Sequence, residues 1–349
     1  MPAKRSSPAN GSGLAAVAER AGVSLATASR VLTGSNHRVS RDLRERVLHA
    51  AESLDYVPNA SARSLSAGMR KVVGVLLHDM ADTREYDYIR TLETVADRAG
   101  WLIMLANASR DLEKEFRYLR VFRAERVGAI ILSGSGFDDD DYRARLNREL
   151  SAYVNYGGRV VMSARHSLPF TEFVPDNVGG ARAAIEHLLG CGHRRIGIIT
   201  GPRAIADTID RLAGAKSAFE RYDVPWDDGL VIEGDFRQTS GFAGCERLFS
   251  RASDMTAVFA MSDAMACGVY EAAAARGLRI PGDLSVIGYD DTAIARVLSP
   301  PLTTVSYPAD ELARAAVEAC VGDLPPERAR IVFPSELVVR KSVASPGAR

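Results

Sequence analysis

Leu25, Ala26, Ser29 and Arg30 share one face of a helix in the stretch "GVSLATASRVL" (residues 22–32), while Ala28, Val31 and Leu32 take the opposite face. The first face is too polar for a core and too apolar for plain surface, so it asks for a partner. The charge distribution says what kind. Residues 1–70 hold ten Lys/Arg against five Asp/Glu, although the whole chain has 44 of each. A small basic module on a more acidic body is the pattern of a chain whose module alone meets a polyanion.

Groups with the type and spacing for catalysis are few. "GSGLAA" (11–16) matches a dinucleotide-binding fingerprint, but it lies in a tail with no strand before it. Cys191 and His193 in "GCGH" are too close in sequence for a dyad and belong to a helix–strand loop. Asp290 and Asp291 are adjacent, and adjacent carboxylates usually point apart. The run Asp138–Asp141 loads a helix N-terminus, where carboxylates offset the dipole. Cys191, Cys245, Cys267 and Cys320 stand singly, without metal-type spacing, and read as small buried residues of a reducing compartment. The expectation is a protein without catalysis, cofactor or metal.

The elements that must position the opening face follow from periodicity and punctuation. Leu14, Val17, Ala18 and Ala21 recur at helical spacing, and Gly22 ends that segment. Ser24 caps a second helix from Leu25 to Leu32, and Ser40 caps a third whose apolar face is Leu43, Val47, Leu48, Ala51 and Leu54. Three short helices with a tight glycine turn between the first two fit a helix-turn-helix. From Val72 the pattern changes to short apolar runs ("VVGVLL", "WLIMLA", "GAIILS", "RVVMS", "RIGIIT", "TAVFAM", "DLSVIGYDD") alternating with helical segments. Strands apolar on both faces predict parallel sheets covered on both sides. The length suits two such α/β lobes, Val72 to Ser163 and Pro175 to Thr304, with a ligand cleft between them and the segment after Leu302 crossing back. With 46% apolar and 25% charged residues, and no apolar run of about 18 or more, the chain reads as globular and cytoplasmic, without a signal peptide or membrane span.

From Leu14 to Arg340 the chain resembles the lac-repressor family of bacterial transcription regulators. The resemblance rests on "VAERAGVSLATASRVL", "VSRDLRERVLHAAESLDYVPNASARSL", "GHRRIGIITGP", "SVIGYDD" and "LSPPLTTV", in order and correctly separated. The polar start (1–13) reads as a disordered tail, and the resemblance implies a helix-turn-helix headpiece (14–57) and a hinge helix with linker (58–70). An effector-binding and dimerisation body (71–349) follows, like a periplasmic binding protein in fold, with lobes at about 71–165 and 175–302.

In this family the second helix docks in the major groove. By that resemblance Leu25 and Ala26 offer apolar contact to base edges, and Arg30 matches an arginine that reads a base, guanine being its commonest specific target. Ser24, Thr27 and Ser29 carry hydroxyls suited to phosphates. The loop from Ser29 to Ser40 is one residue longer than the family spacing, and either His37 or Arg38 could touch a base or a phosphate. In "NASARSL" the resemblance places Ala62 and Leu65 in the minor groove, with Asn59 and Arg63 near the backbone, so that the leucines wedge the duplex open.

For the effector cleft the resemblance implies Arg211 as the ligand-binding arginine, Phe236 as the ring that stacks on a sugar, and Asp290 or Asp291 as the acid. Ser262 and Asp263 stand where an Asn-Asp pair is frequent, and Asp176 is a further lining residue. After the first strand the chain departs from the family, reading "MADTREYDYI". Arg84, Glu85 and Tyr86 there are either surface charges or a sign of a polar or charged effector, such as a sugar acid or phosphorylated sugar, held partly by Arg84. The implied mechanism is a homodimer on a pseudo-palindromic operator, most simply a repressor, whose DNA-competent population shifts when effector reorients the lobes. No leucine heptads follow the body, so a coiled-coil tetramer is not expected. The alternative is a two-lobed small-molecule receptor without a DNA function.

Overall fold

The computed structural model describes residues 13–33, 39–57, 69–80, 84–322 and 329–347. The chain divides into two units, residues 1–70 and 71–349.

The small unit holds α1 (Leu14–Ala21), α2 (Leu25–Thr33) and α3 (Arg41–Ser53). α1 stops because Gly22 turns left-handed at φ 61°; the Arg46 guanidinium donates to Ala21 O in the space a side chain at 22 would enter. Ser24 Oγ accepts from Thr27 N at 3.1 Å, and Ser40 Oγ accepts from Leu43 N at 3.4 Å. Both serines cap their helices as expected. The core is Val17, Ala18, Ala21, Ala28, Val31, Val47, Ala50 and Ala51, and the many alanines let three short helices approach closely. Leu48 does not join it. The inward stripe of α3 is Val47, Ala50, Ala51 and Leu54, at positions i, i+3, i+4 and i+7, which leaves Leu48 49% exposed.

Among the described residues the body contains two six-stranded sheets. The first runs β11 (Arg330–Phe333), β5 (Thr171–Pro175), β4 (Arg159–Met162), β3 (Val127–Leu132), β1 (Arg70–Leu77), β2 (Leu102–Asn107). The second runs β12 (Leu337–Val338), β10 (Thr303–Ser306), β9 (Ser285–Asp290), β8 (Ala257–Ala260), β6 (Ile196–Thr200), β7 (Val231–Glu233). β12 pairs antiparallel with β10, whereas β10 pairs parallel with β9, and β8 parallel with both β9 and β6. This is the doubly wound α/β architecture that buried, uninterrupted runs such as "IGIIT" require.

Helices α4 (Glu85–Arg98) and α12 (Ala309–Val321) share one core with the first sheet through Tyr88, Leu92, Ala96, Leu312, Ala316 and Val317. α5 (Leu112–Ala124) packs on α6 (Asp140–Asn155). In the second lobe α7 (Asn177–Gly190) packs on α8 (Ala206–Arg221), and α9 (Gln238–Arg251) on α10 (Asp263–Ala275), which also touches the short α11 (Ala293–Val297). α9 and α10 meet backbone to backbone, since a Cβ added at Gly268 would lie 2.1 Å from Gln238 O.

Among the described residues the chain crosses between lobes three times: at Asp176, between Ser306 and Ala309, and between Phe333 and Leu337. Thus α12 and β11 return to the first lobe, and β12 lies in the second. β5 corrects the expected start of the second lobe at Pro175, because it belongs to the first sheet. Its polar Glu172 hides it from a hydrophobic reading. That side chain is buried and accepts from His166 N, Ser167 N and the Arg330 guanidinium.

One buried acid of the first lobe predicts a pH profile. Glu115 accepts from Tyr142 Oη at 2.9 Å, and burial pushes its carboxyl up to about 7. His78 lies 4.0 Å away, but burial holds it down to about 3, so it is neutral and supplies no counterion. A folded-state pKa above the unfolded one gives stability that is complete below about pH 4.5 and declines as pH rises through about 7. Glu115→Gln is expected to flatten that decline, worth roughly 2–3 kcal/mol between pH 5 and 8. Urea unfolding at both pH values checks it, and an unchanged slope would contradict it.

Candidate functional site

Two sets of side chains stand out, one in each unit. In the small unit α2 buries Ala28 and Val31, so the geometry of a helix turns Leu25, Ala26 and Arg30 outward. Leu25 is 54% exposed, a large apolar side chain presented to solvent at the first turn of a helix. Ser24 and Thr27 join hydroxyls at 2.9 Å, and Ser29 is half-buried. His37, Arg38, Asn59, Ala62, Arg63 and Leu65 lie outside the described residues.

In the body, charged side chains converge where the two lobes meet. Arg211 on α8 is 1% exposed. Its Nε donates to Asn177 Oδ1 at 2.8 Å and its Nη1 to Met261 O at 2.5 Å. Its Nη2 lies 3.5 Å from Asp290 Oδ1, and the guanidinium stacks 3.6 Å from the centroid of the Tyr289 ring. Nη2 has no hydrogen-bond partner among the described residues, which leaves a buried N–H for a ligand oxygen.

One helical turn earlier, Asp207 joins the lobes. It accepts from Ser135 Oγ at 2.8 Å, from Asn177 Nδ2 at 2.9 Å and from Arg84 Nη1 at 3.5 Å. Burial alone would raise its pKa, but Arg84 and Arg211 hold the carboxyl below the usual carboxylate range. Arg84 also pairs with Glu85 at 3.8 Å and lies 4.9 Å over the Tyr307 ring.

At the rim, Asp79 of the first lobe receives Arg237 of the second at 2.9 Å and Arg110 at 3.7 Å. Arg110 donates back across the gap to Asp235 O at 2.9 Å and lies 5.3 Å over the Phe236 ring. These residues sit just past the carboxyl ends of β1, β2, β3, β7 and β9, where open α/β sheets bind ligands. Backbone strain collects there too. Arg110 (φ 58°), Phe236 (φ 69°), Asp290 (φ 107°) and Asp291 (φ 50°) are all left-handed, at a cost of about 1–3 kcal/mol each.

The expected residues divide accordingly. Arg211 and Asp290 are brought together, Arg84 reaches the same junction, and Phe236 stands at the rim. Asp176 caps α7, accepting from Gly179 N at 2.8 Å, and lines a small cavity of about 180 Å3 with Asp207, Asp210, Arg165 and Arg330. Two residues are not presented as a ligand contact needs. Ser262 caps α10, accepting from Met265 N at 3.1 Å while donating to Phe236 O. Asp263 is fully buried and accepts from Thr292 N, Thr292 Oγ1 and Thr304 Oγ1 at 2.7, 3.0 and 2.6 Å. Its carboxylate ties β10 to the turn after β9. The expected acidic contact for Arg84 also changes character, because its guanidinium is already engaged by Asp207 and Glu85.

Asp79, Arg110, Ser135, Asp207 and Arg237 are additions to the sequence expectation. Asp207 was within reach of it, standing four residues before Arg211 on one face of α8. A larger cavity of about 730 Å3 lies under the Tyr222–Leu230 loop, but its two arginines already have partners. Arg195 pairs with Asp227 and Asp254, and Arg194 donates to Leu189 O and His193 O. Chemistry, rather than size, marks the lobe junction. No group of three or more metal-ligating side chains occurs among the described residues.

Comparison with known proteins adds to this geometry. Residues 14–59 match the model for bacterial regulatory proteins of the lacI family, and residues 185–343 match that for periplasmic binding protein-like domains. The HTH-type transcriptional regulator DegA of Bacillus subtilis is 32% identical over 332 residues, covering 94% of this chain and 97% of its own. CelR of Thermobifida fusca is 33% identical over 335 residues, covering 93% and 96%. Among solved structures, a CelR–cellobiose complex aligns with TM-score 0.69 and 31% identity over 95% of this chain and 99% of its own. The lac repressor dimer bound to operator and the anti-inducer ONPF aligns with TM-score 0.81 and 26% identity over the same shares.

Proposed function

The chain belongs to the lacI family of bacterial regulatory proteins, and from that premise we propose that it is a repressor whose effector is a neutral sugar. That it is a DNA-binding transcriptional regulator with an effector-binding body follows from the family. The observation that carries the choice of effector is charge balance. Each arginine reaching the junction already faces a carboxylate, four against four: Arg84 with Asp207 and Glu85, Arg110 and Arg237 with Asp79, Arg211 with Asp290. An anion would have to compete with those carboxylates. Vicinal hydroxyls instead can accept from the arginines and donate to the acids at once, with Phe236 beside the apolar side of the ring. The CelR complex holds cellobiose, a neutral disaccharide.

The test is a melting-temperature screen. Cellobiose, ribose and other neutral sugars are set against gluconate, glucuronate and glucose 6-phosphate. A true effector at about 100 times its dissociation constant adds about 2.7 kcal/mol. A hit among neutral sugars supports the reading. A hit confined to the acids or phosphates overturns it and restores Arg84 as an anion contact.

On the DNA side, α2 lies in the major groove, Leu25 and Ala26 make apolar base contacts, Arg30 reads a base, and Ser24, Thr27 and Ser29 meet phosphates. Two subunits bind a pseudo-palindrome as a homodimer. Arg30→Ala is expected to lose about 1–3 kcal/mol of operator affinity and to relax preference at one base position. Binding assays over single-base operator variants read this, and an equal loss on every sequence would make Arg30 a phosphate contact. The protein acts in the cytoplasm and carries out no catalysis.

A further inference from the structure

Asp290 faces Arg211 from the end of β9, where two successive non-glycine residues, Asp290 and Asp291, lie in the left-handed region at φ 107° and 50°. Such a turn needs support from outside. From below, Asp263 accepts from Thr292 N and Thr292 Oγ1. From the far side, the segment that follows β12 supplies Arg340. Its Nη2 donates to Asp291 Oδ1 at 2.5 Å, its Nη1 to Leu302 O at 2.9 Å and its backbone N to Thr303 Oγ1 at 2.9 Å. Arg340 and Asp291 are both mostly buried, and Arg296 adds a longer contact to Asp291 at 3.7 Å. The guanidinium therefore binds the turn and the chain just before β10 in one fork, which is geometry that a lysine's single ammonium reproduces only in part.

We propose that Arg340 is a positioning residue for effector binding: acting through Asp291, it locks the left-handed turn so that Asp290 stays aimed at Arg211. Arg340 touches no effector. It lies three residues beyond the third crossing between lobes, between Phe333 and Leu337, so it also ties that crossing to the ligand-facing turn. The inference rests on the effector reading above, and the test separates the two.

Amide hydrogen exchange on the full chain needs no ligand. Tyr307 N donates to Asp290 O at 3.3 Å, so its exchange and that of residues 288–292 report the turn. Arg340→Ala is expected to speed both by tenfold or more while leaving the amides of β6 and β8 unchanged. Asp291→Ala does the same, the double variant adds nothing further, and Arg340→Lys recovers only part of the protection. With cellobiose and ribose as probes, whichever binds the wild type loses tenfold or more in affinity for Arg340→Ala, while operator affinity without sugar stays within twofold. Unchanged exchange at the turn overturns the proposal, as does acceleration spread evenly over the second lobe. Additive single and double variants also overturn it. If neither sugar binds the wild type, the effector reading weakens, and the exchange result still decides for or against Arg340.

Discussion

Replacing Arg211 by alanine is expected to destabilise the body by about 3–5 kcal/mol and to abolish its response to effector. The size follows from burial. The guanidinium is 1% exposed, with Asn177, Met261 O, Asp290 and the face of Tyr289 around it. Truncation removes the guanidinium 3.5 Å from Asp290 and one of the two arginines that hold Asp207 ionised. Both carboxyls are then buried and undercompensated, which is far more costly than losing a surface pair. Because a large loss of stability alone would blunt any ligand response, Arg211→Lys is the informative companion. It keeps the charge but not the fork, so the body should fold while its sugar affinity falls. Denaturant midpoints and melting shifts on both variants measure this. An alanine variant that still responds to the sugar would remove Arg211 from the site.

Removing residues 1–70 carries the second large effect. Specific operator binding commonly exceeds non-specific binding by about 4–10 kcal/mol, and that whole margin is expected to vanish. The remaining body should keep its sugar-induced rise in melting temperature. The division is physical: the small unit closes its own core around Val17, Ala28 and Val47, and the body closes its cores around its sheets. Gel-shift and melting assays on the truncated chain provide the readout. A truncated protein that still selects the operator would refute the assignment of α2 as the reading helix.

Local rules made much of this legible in advance. Gly22, Ser24 and Ser40 mark helix ends because caps are decided by one or two residues. Strands β1, β3, β6, β8 and β9 announce themselves because a strand buried on both faces must be apolar throughout. The short or polar strands β5, β7, β11 and β12 do not, since their place depends on a neighbour already being there. The same holds for the site. Family resemblance named Arg211 together with Asp290 or Asp291, and the structure brings Arg211 and Asp290 to 3.5 Å, whereas the partner of Arg84 lies 123 residues away and that of Arg237 lies 158 away. No spacing rule reaches so far. Nor does a motif show how a side chain is engaged: Asp263 stands in a ligand-like motif, and its carboxyl accepts from Thr292 and Thr304.

Effector control requires coupling between the lobe junction and the headpiece. The direct measurement is the dissociation constant of the full chain for an operator selected from random duplexes, at fixed salt, with and without the neutral sugar that raises its melting temperature. Coupling of about 1–3 kcal/mol predicts a 5- to 150-fold change. Identical operator affinities with the sugar demonstrably bound would contradict it.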